Sequence, residues 1–120
     1  MTNEQKEPKK FDLEERTAKF GEDVIRFARE LPKDEITRPI INQLVRCGTS
    51  VGANYCEADD AESRKDFKHK IGICKKESRE SKHFLRMSAI AVSDKKDKAR
   101  KLWIEAKEIN LIFNSIYQKL

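Results

Sequence analysis

GTSVGAN, residues 48–54, decides the fold. Its first five residues, Gly48-Thr49-Ser50-Val51-Gly52, spell G-x-S-x-G, the pattern of the nucleophile elbow of serine hydrolases. That elbow needs a strand before it, a sharp turn, a helix after it, and a large α/β sheet to carry all three. Here Ile41, Leu44, Gly48, Val51, Tyr55 and Ala58 recur every three or four residues instead. That is the period of one helix face, and it crosses GTSVGAN without a slip. The spacing predicts one helix from about residue 37 to 60, with Pro39 tolerated in its first turn.

Other loop chemistries fail as well. A phosphate loop would read G-x-x-x-x-G-K-[ST], and no lysine follows Gly52. Two mid-helix glycines cost about 1 kcal/mol each relative to alanine, so something should offset them. Gly48 and Gly52 are four apart on the apolar arc, which predicts a neighbouring helix packed close. The opposite side carries Gln43, Arg46, Ser50, Asn54 and Glu57. That stripe reads equally as a solvated face or as a hydrogen-bonded packing surface.

Three further helices flank this one. Leu13, Thr17, Phe20, Val24, Phe27 and Leu31 form the first stripe, with Asp12 and Glu15 as a capping-box start and Pro32 as the stop. Ser63, with Asp66 three residues on, opens a third helix whose stripe is Phe67, Ile71, Cys74, Ser78, Ser81 and Leu85. Asp94 with Asp97 is read as the cap of the fourth, which carries Leu102, Ala106, Ile109, Phe113, Ile116 and Leu120. No segment alternates as a strand would. Short connections between long helices predict an all-α, antiparallel up-down-up-down four-helix bundle over residues 12–120, preceded by a disordered tail at 1–11.

Composition bounds the function. No apolar run is long enough to cross a membrane, and the N-terminus lacks the apolar core of a secretory signal. Cys47, Cys56 and Cys74 form no C-x-x-C pair, so reduced, semi-buried thiols in a cytoplasmic protein are expected. His69 and His83 lie fourteen apart on a charged face, and no metal or other cofactor is expected. Residues 1–60 carry ten Lys and Arg against thirteen Asp and Glu, whereas residues 61–120 carry sixteen against eight. Such asymmetry points to a basic surface with an anionic partner, although a merely solvated surface would read the same way.

One run resembles a known family. Leu31-Pro32-Lys33, then Gln43 through Ala58 (QLVRCGTSVGANYCEA), then Ser63, Asp66-Phe67, Lys70, Ile73, Lys76-Glu77 and Glu80 resemble the four-helix-bundle proteins encoded in intervening sequences of bacterial 23S ribosomal RNA genes. The resemblance covers about residues 12–118; Cys47 and Cys56 stand where that family more usually has small or aliphatic residues. That family is similar to the accessory variability protein of diversity-generating retroelements. The resemblance therefore implies a homo-oligomer, a pentamer, that binds nucleic acid in company with a reverse transcriptase or another element-encoded protein. It implies no reaction, and no enzyme is expected.

The third helix divides into faces at 100° per residue. One holds Lys65, Lys68, Lys75, Lys76, Arg79, Lys82 and Arg86, with no acid, over about 31 Å at 1.5 Å per residue. Lys95, Lys96, Lys98, Arg100 and Lys101 crowd the start of the fourth helix, where cations oppose the dipole. These twelve residues are the expected contacts to RNA or DNA phosphates, made without sequence readout because few aromatics interleave them. Another face adds Asp66, Lys70, Ile73, Glu77, Glu80, Phe84 and Met87. Lys70, Ile73, Glu77, Glu80 and Phe84, together with Arg46, Ser50, Asn54 and Glu57, are the expected subunit interface. Packing at the bundle edge within one chain is the alternative. A protein–protein scaffold that binds no nucleic acid remains the rival function.

Overall fold

The computed structural model describes residues 12–120, and the tail expected at 1–11 lies outside them. Four long helices account for the described residues, with no strand among them: α1 (Leu13–Arg29), α2 (Thr37–Asp59), α3 (Arg64–Ala91) and α4 (Lys96–Gln118). GTSVGAN lies in the middle of α2, so the elbow reading is excluded by backbone geometry.

Local chemistry sets the boundaries. Asp12 accepts the Glu15 N–H at 3.2 Å, and acids in the first turn of α1 with bases in its last complement the dipole. Between α1 and α2, the Asp34 carboxylate accepts the N–H groups of Ile36 and Thr37, while the Thr37 hydroxyl accepts that of Asp34. These backbone donors hold the Asp34 carboxyl below its ordinary value. Ser63 accepts the Asp66 N–H at 3.0 Å and starts α3 as the spacing predicts. Asp94 does not cap α4. It sits in a 3-10 turn, Ser93–Lys95, and α4 begins after Lys95 with no side-chain cap. The extra turn redirects the chain, and helical periodicity carries no record of it.

The predicted stripes form the core. Phe20, Val24, Leu44, Val51, Ile71, Leu85, Ile109 and Phe113 are fully enclosed, and the Tyr55 and Phe113 rings meet at 5.8 Å. Thr17, Ser78, Ser81 and Ser88 are buried among them. Each hydroxyl donates to a carbonyl three or four residues back, so no polar group is stranded and small side chains can line the seams.

The glycines act at one seam. A Cβ on Gly48 would lie 3.0 Å from both Val24 methyls, and one on Gly52 would lie 3.3 Å from the Thr17 backbone. Thr17 thus faces Gly52 while Val24 faces Gly48, residue numbers rising on α1 as they fall on α2. Cys74 likewise reaches Val51, and Ser81 reaches Cys47, across α2 and α3. The helices pack broadly in chain order, whereas α1 touches α4 along a narrower seam. Ion pairs tie that seam: Arg16 with Glu105 and Glu108, and Glu30 with Lys95 and Lys98.

Candidate nucleic-acid interface

The basic face of α3 splits into two rows. Lys65, Lys76, Arg79 and Arg86 are exposed and pair with no carboxylate among the described residues. Lys68, Lys75 and Lys82, seven residues apart, lean instead onto α4. The Lys68 and Lys75 ammonium groups lie 5.0 and 4.4 Å from the centre of the Tyr117 ring. Lys82 lies 5.8 Å from that of Trp103, which Lys107 also approaches at 5.6 Å. Each is a cation–π contact, which holds the charge at the surface while its aliphatic stem covers apolar area.

The receiving row on α4 is itself seven-spaced: Trp103, Asn110, Tyr117. Asn110 donates to the Lys75 carbonyl at 2.8 Å and to the Ser78 hydroxyl at 3.1 Å. Sequence reasoning missed this row. Its signal was the shared seven-residue spacing, but which two rows face each other depends on how the helices pair.

The cluster at the start of α4 also divides. Lys95 and Lys98 bind the Glu30 carboxylate at 3.2 and 2.8 Å, and their hydrogen bonds, Lys98 first, hold that carboxyl below its ordinary value. Lys101 borders a groove between α1 and α4 together with Arg16, Lys19 and Asp23. Lys96 and Arg100 turn to the other side of α4, where they meet Arg86 around a cleft.

The nine residues expected at a subunit interface gather along the α2/α3 edge. Arg46 reaches Glu80 at 2.7 Å and Glu77 at 3.3 Å; Lys70 reaches Glu57 at 2.6 Å. The Asn54 amide donates to the Ser50 hydroxyl one turn back. Ile73 and Phe84 are half-buried. The glutamates therefore find their partner, Arg46, in the same chain. Burial pushes the Glu77 carboxyl up against the pull of Arg46, whereas the Arg46 hydrogen bond pulls the Glu80 carboxyl down.

Nucleophile and metal chemistries gain no support from this geometry. Ser50 makes its side-chain contact with Asn54, and no group of His, Cys, Asp and Glu among the described residues is placed to hold a metal ion. Cys47 and Cys74 are buried, but Cys56 is exposed rather than semi-buried, because it falls one residue past the Tyr55 stripe. No described helix is long and apolar enough to cross a membrane.

Residues 9–115 match the family model for the 23S rRNA-intervening sequence protein. The chain belongs to this family. A crystal structure of a protein of unknown function from the S23 ribosomal protein family of Bacteroides thetaiotaomicron is similar to it, with 27% identity and a TM-score of 0.79, over 87% of this chain and 96% of that one. No curated protein matches. The QLVRCGTSVGANYCEA run of α2, whose glycines make the α1/α2 crossing described above, lies within the residues matched to the 23S rRNA-intervening sequence protein family.

Proposed function

We propose that this protein is a non-enzymatic, antiparallel up-down-up-down bundle that self-assembles, as a pentamer, and binds nucleic acid through the backbone phosphates. It would act as an accessory to an RNA process of the genetic element that carries it, alongside an element-encoded protein such as a reverse transcriptase. One observation carries the reading: the row Lys65, Lys76, Arg79 and Arg86 is exposed without a carboxylate partner among the described residues, although 39% of the chain is charged. Cations free of local partners are available to phosphates, and their binding releases condensed counterions. The opposed numbering of Thr17–Gly52 and Val24–Gly48 supports the antiparallel arrangement. Ile104 and Leu111, seven apart on α4 and 44% and 55% exposed, support self-assembly.

The test is a salt titration of binding to duplex and to structured RNA. The logarithm of affinity should fall linearly with the logarithm of salt, with a slope of about −0.9 per phosphate contacted on duplex DNA. Lys76→Glu with Arg79→Glu should abolish most binding while light scattering gives an unchanged mass. Lys75, proposed from sequence, is unsuitable for this test because its charge rests on Tyr117. Undetectable binding at low salt, or binding indifferent to the reversals, rejects the reading.

The rival is a protein–protein scaffold, favoured by the half-buried Ile73 and Phe84 beside the Arg46–Glu77–Glu80 cluster. It expects the reversals to leave every partner bound.

A further inference from the structure

We propose that the cleft beside the start of α4 takes one unpaired nucleotide of a nucleic-acid strand, its base stacked on Trp103 and its phosphates on Arg86, Lys96 and Arg100. This deepens the nucleic-acid reading above and rests on it. The cleft measures about 530 Å³ and lies between the end of α3 and the start of α4. That falls within the size range of small-molecule sites, about 300–1,000 Å³. Its apolar wall is Leu85, Ala89, Ala99 and Trp103; its rim carries three cations against one carboxylate, Asp97. None of the three cations joins an ion pair among the described residues, although Lys95 and Lys98 alongside are both engaged with Glu30.

An aromatic plane edged by unpaired cations is the pairing that single-stranded nucleic acid requires, because every base offers a π-face and every linkage a phosphate. Two arginines add planar forks suited to phosphate oxygens. Lys82 and Lys107, already 5.8 and 5.6 Å from the indole centre, lie close enough to shift from the ring to a flanking phosphate when a base arrives. Arg86 is also the last member of the exposed row on α3, seven residues or about 10 Å beyond Arg79, so a strand leaving the cleft meets further charge. Bases held in a duplex are already stacked and cannot take this position. The cleft therefore confers a preference for unpaired strands, which charge along α3 alone would not.

Trp103 is the only tryptophan, so its emission reports on the cleft directly. The full chain is titrated at low salt with a labelled single-stranded oligonucleotide and with an abasic strand of the same length, following label anisotropy and indole emission together. Both strands should bind, and only the base-bearing one should quench. Trp103→Leu, which keeps the wall apolar, should weaken the base-bearing strand by about tenfold and leave the abasic one unchanged. Binding of both strands with equal quenching, or with none, overturns the cleft and leaves the backbone reading standing. Failure of the base-bearing strand alone overturns the cleft, failure of the abasic strand alone overturns the backbone reading, and failure of both strands to bind overturns both. Emission that shifts with protein concentration alone shows the cleft covered by a second copy, and also overturns it. The native-chain comparison decides the matter even if the leucine variant does not fold.

Discussion

Gly48 sits against Val24 so closely that a single added methyl would lie 3.0 Å from both valine methyls. Val24 is fully buried and, being β-branched, is stiff about χ1, so it cannot swing aside. Gly48→Ala should therefore destabilise the bundle by about 1 kcal/mol, overpacking outweighing the gain of about 1 kcal/mol in helix propensity. Gly72 provides the contrast, because a Cβ there meets only the edge of the half-buried Tyr117 ring at 3.2 Å. Gly72→Ala should be neutral or stabilising by up to about 1 kcal/mol. The urea midpoint should fall for Gly48→Ala and hold or rise for Gly72→Ala; a neutral Gly48→Ala would show that the crossing is not tight.

Arg46 offers a pH-dependent test. Glu77 binds its proton more tightly when folded, so its contribution to stability falls as pH rises from about 4.5 through the raised folded value. Glu80 has the opposite sign: it contributes above about 4.5, and that contribution is lost as pH falls through the lowered folded value. Arg46→Met removes the partner of both. At neutral pH it should cost about 1–2 kcal/mol, less than a fully buried pair because Arg46 is half exposed. In acid, as pH falls through the lowered Glu80 value, both carboxyls become protonated and the gap to the parent should close. Denaturant unfolding at neutral and at acid pH checks it; a gap that widens in acid contradicts the assignment.

The thiols should separate by burial. Cys74 is buried and its thiol is pushed up to about 12, and burial raises Cys47 too, so neither supplies a reactive thiolate near neutrality. Cys56 is exposed. A disulfide-exchange reagent at about pH 8 should titrate one thiol per folded chain and three after unfolding. More than one reactive thiol in the folded chain would mean that the α2/α3 seam opens.

The four helices were legible because their stripes are long and regular, and Asp12 and Ser63 announced two starts through a side-chain oxygen three residues ahead of a free N–H. Asp94 carries the same signature and misleads, since the turn it occupies is a local backbone choice that the apolar period does not encode. The exposed cations of α3 could be read from angle alone. Lys68, Lys75 and Lys82 could not, because leaning on Tyr117 and Trp103 depends on which face of α4 lies alongside. Glu77, Glu80, Arg46 and Lys70 were grouped in one expected interface. Only the three-dimensional arrangement assigns both glutamates to Arg46 and sends Lys70 to Glu57.

The molecule is closed by two kinds of join, and they answer to different weather. Between α1 and α2 the fit is valine methyls against glycine, which weakens with cooling. Between α1 and α4 the clasps at Arg16 and Glu30 are ionic, and brine loosens them while cold does not. A change of salt therefore loosens the α1/α4 clasps, as it does the Arg46 and Lys70 pairs between α2 and α3, and leaves the apolar α1/α2 crossing as the fixed frame.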